Sequence, residues 1–163
     1  MAAEREYDGR MSSRRNVAVL FLALAGCSKD CTAVEGKTSG RIESSGTTGK
    51  WVLAQGKCYS GEREGFFGVT AEAQDGTDAS VMFVKDPTGG WVVKARIAGS
   101  CDAGTCTYKV FTKHECKSLD VNLKLDPTRD QLFNGTATVD CSVEGAHVSG
   151  TLTMEACRAP FGR

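Results

Sequence analysis

The sequence is short of long apolar runs, of histidine and of any excess of one charge. Its longest apolar run, Val17 to Ala25, is nine residues, far below the ~20 that a membrane-spanning helix needs. Lysine and arginine number 20, aspartate and glutamate 20. That balance gives no electrostatic reason to expect nucleic acid or anionic lipid as a partner, because long-range attraction requires a sign excess on some face. The only two histidines are His114 and His147, and both are expected to be solvated surface residues rather than acid–base catalysts. Also missing are a G-x-S-x-G elbow, an H-E-x-x-H pair and a phosphate loop; Gly46-Thr47-Thr48-Gly49-Lys50 has the lysine but the wrong glycine spacing. Glu62 and Glu64, flanking Arg63, read as a solvated loop rather than a catalytic carboxylate pair. A chain without a catalytic set is expected not to be an enzyme and to need no cofactor or metal.

Cysteine, by contrast, is plentiful. Eight in 163 residues would be odd in a reducing cytoplasm and read as a cross-linked framework in an oxidising compartment. The amino terminus points to the same compartment. Arg14 and Arg15 precede the apolar run, which has the length of a signal-peptide core, and Leu24-Ala25-Gly26-Cys27 follows at once. This tetrapeptide resembles the lipobox of bacterial lipoproteins at every position. The resemblance implies a thioether-linked diacylglycerol on Cys27, cleavage after Gly26 and commonly a further acyl chain such as palmitate on the new amino terminus. Each buried methylene contributes about 0.8 kcal/mol, so two or three chains hold a protein at a membrane almost permanently. The implied localisation is a cell envelope, and Ser28 after the lipidated cysteine resembles the default outer-membrane sorting signal where an outer membrane exists. Residues 1–10 make a poor signal start, and Met11 opens a compact basic one, Ser-Ser-Arg-Arg-Asn. Ser13-Arg14-Arg15 resembles part of a twin-arginine signal, but export of an already folded chain sits poorly with disulfides, which favours the general secretory route.

Three segments follow from this reading: a signal peptide over 1–26, a lipidated flexible tether over 27–50, and one domain over 51–163. The tether is read from the Ser, Thr, Gly and Lys content of residues 28–50, with Val34 and Ile42 as their only large aliphatics. An edge strand near residues 40–44 is the alternative. Beyond Lys50 the pattern alternates, as half-buried strands require. Phe67, Val69, Ala71 and Ala73 form one inward row, and Val81 with Phe83 another. Trp91, Val93, Ala95 and Ile97 follow, then Leu119, Val121, Leu123 and Leu125. Odd positions from Phe133 to Val143 and even ones from Val148 to Met154 close the series, while 51–58 and 106–113 are weaker candidates. Turn-forming stretches at 75–78, 86–90, 126–130 and 144–147 separate them. Short connectors imply antiparallel neighbours. The expected fold is all-β: about eight antiparallel strands in a sandwich or small barrel, cross-linked by disulfides.

Strand register narrows the cysteine pairing. If Leu125 faces Phe133, antiparallel pairing sets Leu119 against Val139 and brings Cys116 within one residue of Cys141. Cys101 and Cys106 bracket a four-residue loop, and Cys58 with Cys157 would then tie the two ends of the domain, leaving Cys31 over. The competing reading is a zinc site from Cys101, Cys106, His114 and Cys116, whose spacing departs from structural zinc motifs.

Two binding functions remain. One is a surface recognition or structural domain meeting another protein, with Gly61-Glu62-Arg63-Glu64-Gly65 as a candidate contact loop. The other starts from Gly49-Lys50-Trp51, which resembles the G-x-W of lipocalins; that resemblance implies an eight-stranded barrel carrying a small apolar ligand. The sequence departs from the family's Thr-Asp-Tyr-type turn, since Thr77-Asp78 is followed by Ala79.

Overall fold

The structure, a computed structural model, describes residues 36–126 and 132–158. The lipobox with Cys27, and Cys31, lie outside them. Ten antiparallel strands form one sheet: β1 (Gly36–Gly46), β2 (Trp51–Leu53), β3 (Gly56–Ser60), β4 (Gly68–Ala73), β5 (Ser80–Lys85), β6 (Trp91–Arg96), β7 (Tyr108–Phe111), β8 (Cys116–Asp126), β9 (Leu132–Val143) and β10 (Ala146–Cys157). The order across the sheet is β7-β6-β5-β4-β3-β1-β10-β9-β8, with β2 also on β1.

That order is a meander bent almost into a closed barrel. The first and last strands, β1 and β10, pair over ten positions from Lys37↔Glu155 to Gly46↔Ala146. β2 and β3 are one strand direction interrupted at Ala54 and Gln55. β7 and β8 also run the same way, separated by a one-turn 3-10 helix, Lys113–Glu115. Counted by direction, therefore, eight strands alternate around the barrel, in agreement with the eight expected. At the seam the chain changes partner, because β7 pairs with β6 and β8 with β9. A row of ladder partners begun at Lys109 passes through Ala95, Val81, Ala71 and Cys58 to Gly36. Such rows must advance along the strands for tilted strands to close into a barrel.

The inward rows read from the sequence largely form the core. Val69, Ala71, Val81, Phe83, Val93, Ala95, Phe133, Ala137, Val139, Val148, Leu152 and Met154 are all buried in one contiguous cluster with Ile42, Leu53 and Phe111. Leu119, Val121, Leu123 and Leu125 are only half-buried, because β8 is an edge strand beside the seam. Phe67 departs from its expected row: it lies just outside β4 and is 42% exposed.

The tether boundary needs correcting. Residues 36–46 are a strand, and a central one, so the folded unit includes Gly36–Gly46 and does not wait for residue 51. The inward positions of β1 are Gly36, Thr38, Ile42 and Ser44, mostly too small to register as hydrophobic alternation. Smallness is what this position requires. A Cβ on Gly36 would sit 2.6 Å from the Cys58 carbonyl oxygen, and one on Gly40, at φ +100°, 2.4 Å from that of Thr151.

Among the described residues three disulfides fasten the barrel: Cys58–Cys157, Cys101–Cys106 and Cys116–Cys141. Leu125 faces Phe133 and Leu119 faces Val139, and an irregularity between Cys116 and Ser118 puts Cys116 directly opposite Cys141. At the other margin Ala156, at φ +53°, forms a bulge whose N–H donates to Asn134 Oδ1 at 2.8 Å. That bulge turns Cys157 inward, opposite Phe133 and bonded to Cys58.

Candidate recognition surface

Antiparallel alternation assigns each described connection between strands of opposite direction to one of two barrel ends. Gly36, where the chain enters the barrel, shares its end with loops 61–67 and 86–90 and with Cys157. We term this the near end. The far end carries the turns at 47–50, 74–79 and 144–145 and the longest described connection, 97–107.

Far-end geometry is built around Trp51. The indole is buried, and its Nε1 donates to the Arg96 carbonyl oxygen at 2.9 Å. The Arg96 guanidinium donates through Nη2 to Glu72 Oε1 at 2.9 Å and to the Tyr108 hydroxyl at 3.2 Å. Burial opposes its charge, but Tyr108 and Glu72 outweigh burial and raise its pKa above the ordinary guanidinium value. Lys109 pairs with Glu144 and so ties β7 to the β9–β10 turn, while the Thr47 N–H donates to the Gly145 carbonyl at 3.1 Å. Gly49-Lys50-Trp51 therefore opens the second strand direction rather than the first.

Loop 97–107 projects from this frame as a small clipped hairpin. Within the Cys101–Cys106 bridge, Asp102 and Thr105 exchange both backbone hydrogen bonds at 2.8 Å. Ala103 at φ +45° and Gly104 at φ +85° supply the two left-handed residues such a tight turn requires. Below the bridge, Ser100 Oγ donates to the Thr107 carbonyl and accepts from its N–H, each at 3.1 Å. The whole segment from Cys101 to Thr105 is exposed. A covalently clipped loop, held by these hydrogen bonds and pointing into solvent, loses little conformational freedom on binding.

At the near end the candidate contact loop folds as a one-turn 3-10 helix, Gly61–Glu64, capped by Ser60 and ended by Gly65 in the left-handed region. A Cβ on Gly61 would collide with the Phe66 ring at 2.1 Å, so glycine there lets Phe66 close over the turn. Next to it the Phe67 ring meets Phe133 edge-on at 5.1 Å and lies 6.2 Å from Trp91. Lys85 Nζ stands 5.6 Å from the Phe67 ring centre and 5.8 Å from that of Trp91. This is a small aromatic rim with one cation above it.

The residues weighed for catalysis are not gathered into a cleft. His147 lies in β10 rather than in the turn, with Nε2 3.0 Å from Asp140 Oδ1, and both side chains are half-exposed on the outer face. His114 is exposed on the 3-10 turn before β8. The four residues of the zinc alternative are divided, with their three cysteines held in two different disulfides. An open groove of about 520 Å³ is lined by Ser39, Gly40, Ala54, Gln55, Gln74 and Asp75, side chains that are small or polar.

No family model matches this chain, and neither the curated proteins nor the solved structures contain a match. The sequence signal that could have found the clipped loop was Cys101-Asp-Ala-Gly-Thr-Cys106; it fixed a bridge, not a projection. The aromatic rim was hidden by reading Phe67 as part of an inward row.

Proposed function

We propose that this protein is a non-enzymatic recognition domain of a bacterial cell envelope, held at a membrane through lipid on Cys27. The observation that carries the recognition reading is the clipped 97–107 loop, with an exposed tip and a hydrogen-bonded base, at the end farthest from Gly36. A domain attached by its amino terminus presents such a loop outward. The three disulfides favour an oxidising compartment, and the lipobox supplies the route to it, with Ser28 favouring the outer membrane where there is one.

The second reading, a lipocalin-like carrier of a small apolar ligand, is favoured by the eight-direction meander and by Trp51 plugging one end. Against it stand Phe83, Phe111, Phe133, Leu152 and Met154, which fill the interior with fully buried side chains. Recognition on the outside is therefore the stronger proposal.

The test is photocrosslinking on intact cells with a crosslinking amino acid at Thr105, at the loop tip, or at Lys124, on the outer wall. Recognition predicts a discrete protein adduct from position 105 and none from 124. No adduct at 105, together with a lipid co-purifying with the protein, would favour the carrier. Fractionation of cells expressing Cys27→Ala tests the anchor separately, since that variant should leave the membrane fraction.

A further inference from the structure

We infer that the near end of the barrel rests on the bilayer itself, with Phe67 and Trp91 entering the interface and Lys85 at the level of the lipid phosphates. The inference rests on the reading of Cys27 as the lipidated residue.

Covalent reach is the first argument. Only eight residues separate Cys27 from Gly36, and the nine Cα-to-Cα steps, at 3.3–3.6 Å per residue, span at most about 32 Å. Gly36 is at the near end, laddered to Cys58, which is bonded to Cys157, which faces Phe133, which touches Phe67. The aromatic rim and the point of attachment therefore share one end of the molecule. The far end lies beyond the eleven-residue β1, roughly 35 Å of strand at ~3.3 Å per residue. Even with the strand tilted, bringing the far end to the bilayer would use nearly the whole reach of the connection. The near end arrives with slack.

Chemistry is the second. Trp91, an apolar ring with one polar N–H, and Lys85, a long cationic side chain, match the residues enriched at membrane–water boundaries, and Phe67 adds a wholly apolar ring between them and the core. Among the described residues Phe67 and Val110 are the large hydrophobic side chains open to solvent, and Trp91 beside Phe67 is half-buried. Glu62 and Glu64 are exposed at the same end, so the attraction is apolar and interfacial rather than a charge attraction to anionic lipid. A patch this small would bind vesicles weakly by itself. Attachment changes that, because a short linker gives an effective concentration in the millimolar range, at which weak contacts become occupied.

The test uses the full lipoprotein in phosphatidylcholine vesicles, with and without phosphatidylcholine brominated near the carbonyl end of its acyl chains. Flotation first establishes that the protein is attached. The chain has two tryptophans, and Trp51 is buried at the far end. Bromine at interfacial depth should thus remove roughly a third of the emission, all of it from Trp91. Trp91→Phe should abolish that loss and keep the ring packing. Phe67→Ser should reduce it, and 0.5 M added salt should leave it unchanged within roughly ten per cent, because an apolar contact is not screened. Equal emission in both kinds of vesicle, from protein that floats, overturns the docking inference alone. Protein that does not float overturns the anchor as well. Shielding of Trp91 from aqueous acrylamide without bromine quenching also overturns docking, and identifies a second copy or another protein as the cover.

Discussion

Replacing both Cys58 and Cys157 by alanine tests how this barrel is held shut. The bridge joins positions 99 residues apart, and both cysteines are fully buried. In the chain-entropy account an uninterrupted loop of that length constrains the unfolded chain by about 4.7 kcal/mol. Here the loop is already short-circuited by bridges spanning 25 and 5 residues, which leaves roughly 70 residues and lowers the figure only to about 4.4 kcal/mol, because the dependence is logarithmic. Residual structure in the unfolded chain reduces it further, so a loss of about 3–4 kcal/mol is expected, a large part of the roughly 5–15 kcal/mol that holds a domain of this size. The same account gives the Cys101–Cys106 pair at most about 2 kcal/mol, and its exposed loop can open locally without unfolding the barrel. The assay is equilibrium denaturation in urea of the two double variants beside the parent. The Cys58/Cys157 variant should show much the larger drop in midpoint. Equal midpoints for it and the parent, or a larger drop for the Cys101/Cys106 variant, would refute the reasoning.

Other perturbations address single contacts. Phe83→Ala, at a fully buried ring, should cost about 3–5 kcal/mol in the same denaturation assay. Trp51→Phe removes the donor to the Arg96 carbonyl and should cost about 1–2 kcal/mol, with near-ultraviolet circular dichroism reporting a retained fold. Gly135→Ala would place a Cβ 1.9 Å from the Asn122 carbonyl oxygen at φ +151°, so a lower melting temperature or loss of soluble protein is expected. The Thr112 backbone N–H and hydroxyl hold the Glu115 carboxyl below its usual range, and Thr77 and Thr88 do the same for Asp75 and Asp86. A carboxyl whose folded pKa is depressed stabilises the fold above its unfolded value and loses that contribution as pH falls through the folded one. Melting temperature should therefore be flat near neutrality and decline on acidification through the carboxylate range, less steeply for Glu115→Gln.

What the sequence made legible was what large side chains write into it. Val81 and Phe83, Val93 and Ala95, and the odd positions of β9 alternate because one sheet face meets the core. The same register led to Cys116 and Cys141. β1 escaped because its buried face is Gly36, Thr38, Ile42 and Ser44, shaped by backbones pressing close rather than by aliphatic packing. Phe67 misled because alternation says which face a side chain points to but not where the strand stops; β4 begins one residue later. The seam was invisible for a related reason. β7 is four residues long, and nothing in Tyr108-Lys-Val-Phe111 announces that the next strand will pair elsewhere. Of the candidate site, the clip at Cys101–Cys106 could be read from spacing, whereas the gathering of Phe67, Trp91, Phe133 and Lys85 at the end where the chain enters required the closed meander.

The central claim, attachment through Cys27, is tested most directly by the mass of the amino-terminal peptide of the protein isolated from its native membrane. The account predicts a peptide beginning at Cys27 and carrying a thioether-linked diacylglycerol. A peptide retaining residues before Cys27, or an unmodified Cys27, would contradict it.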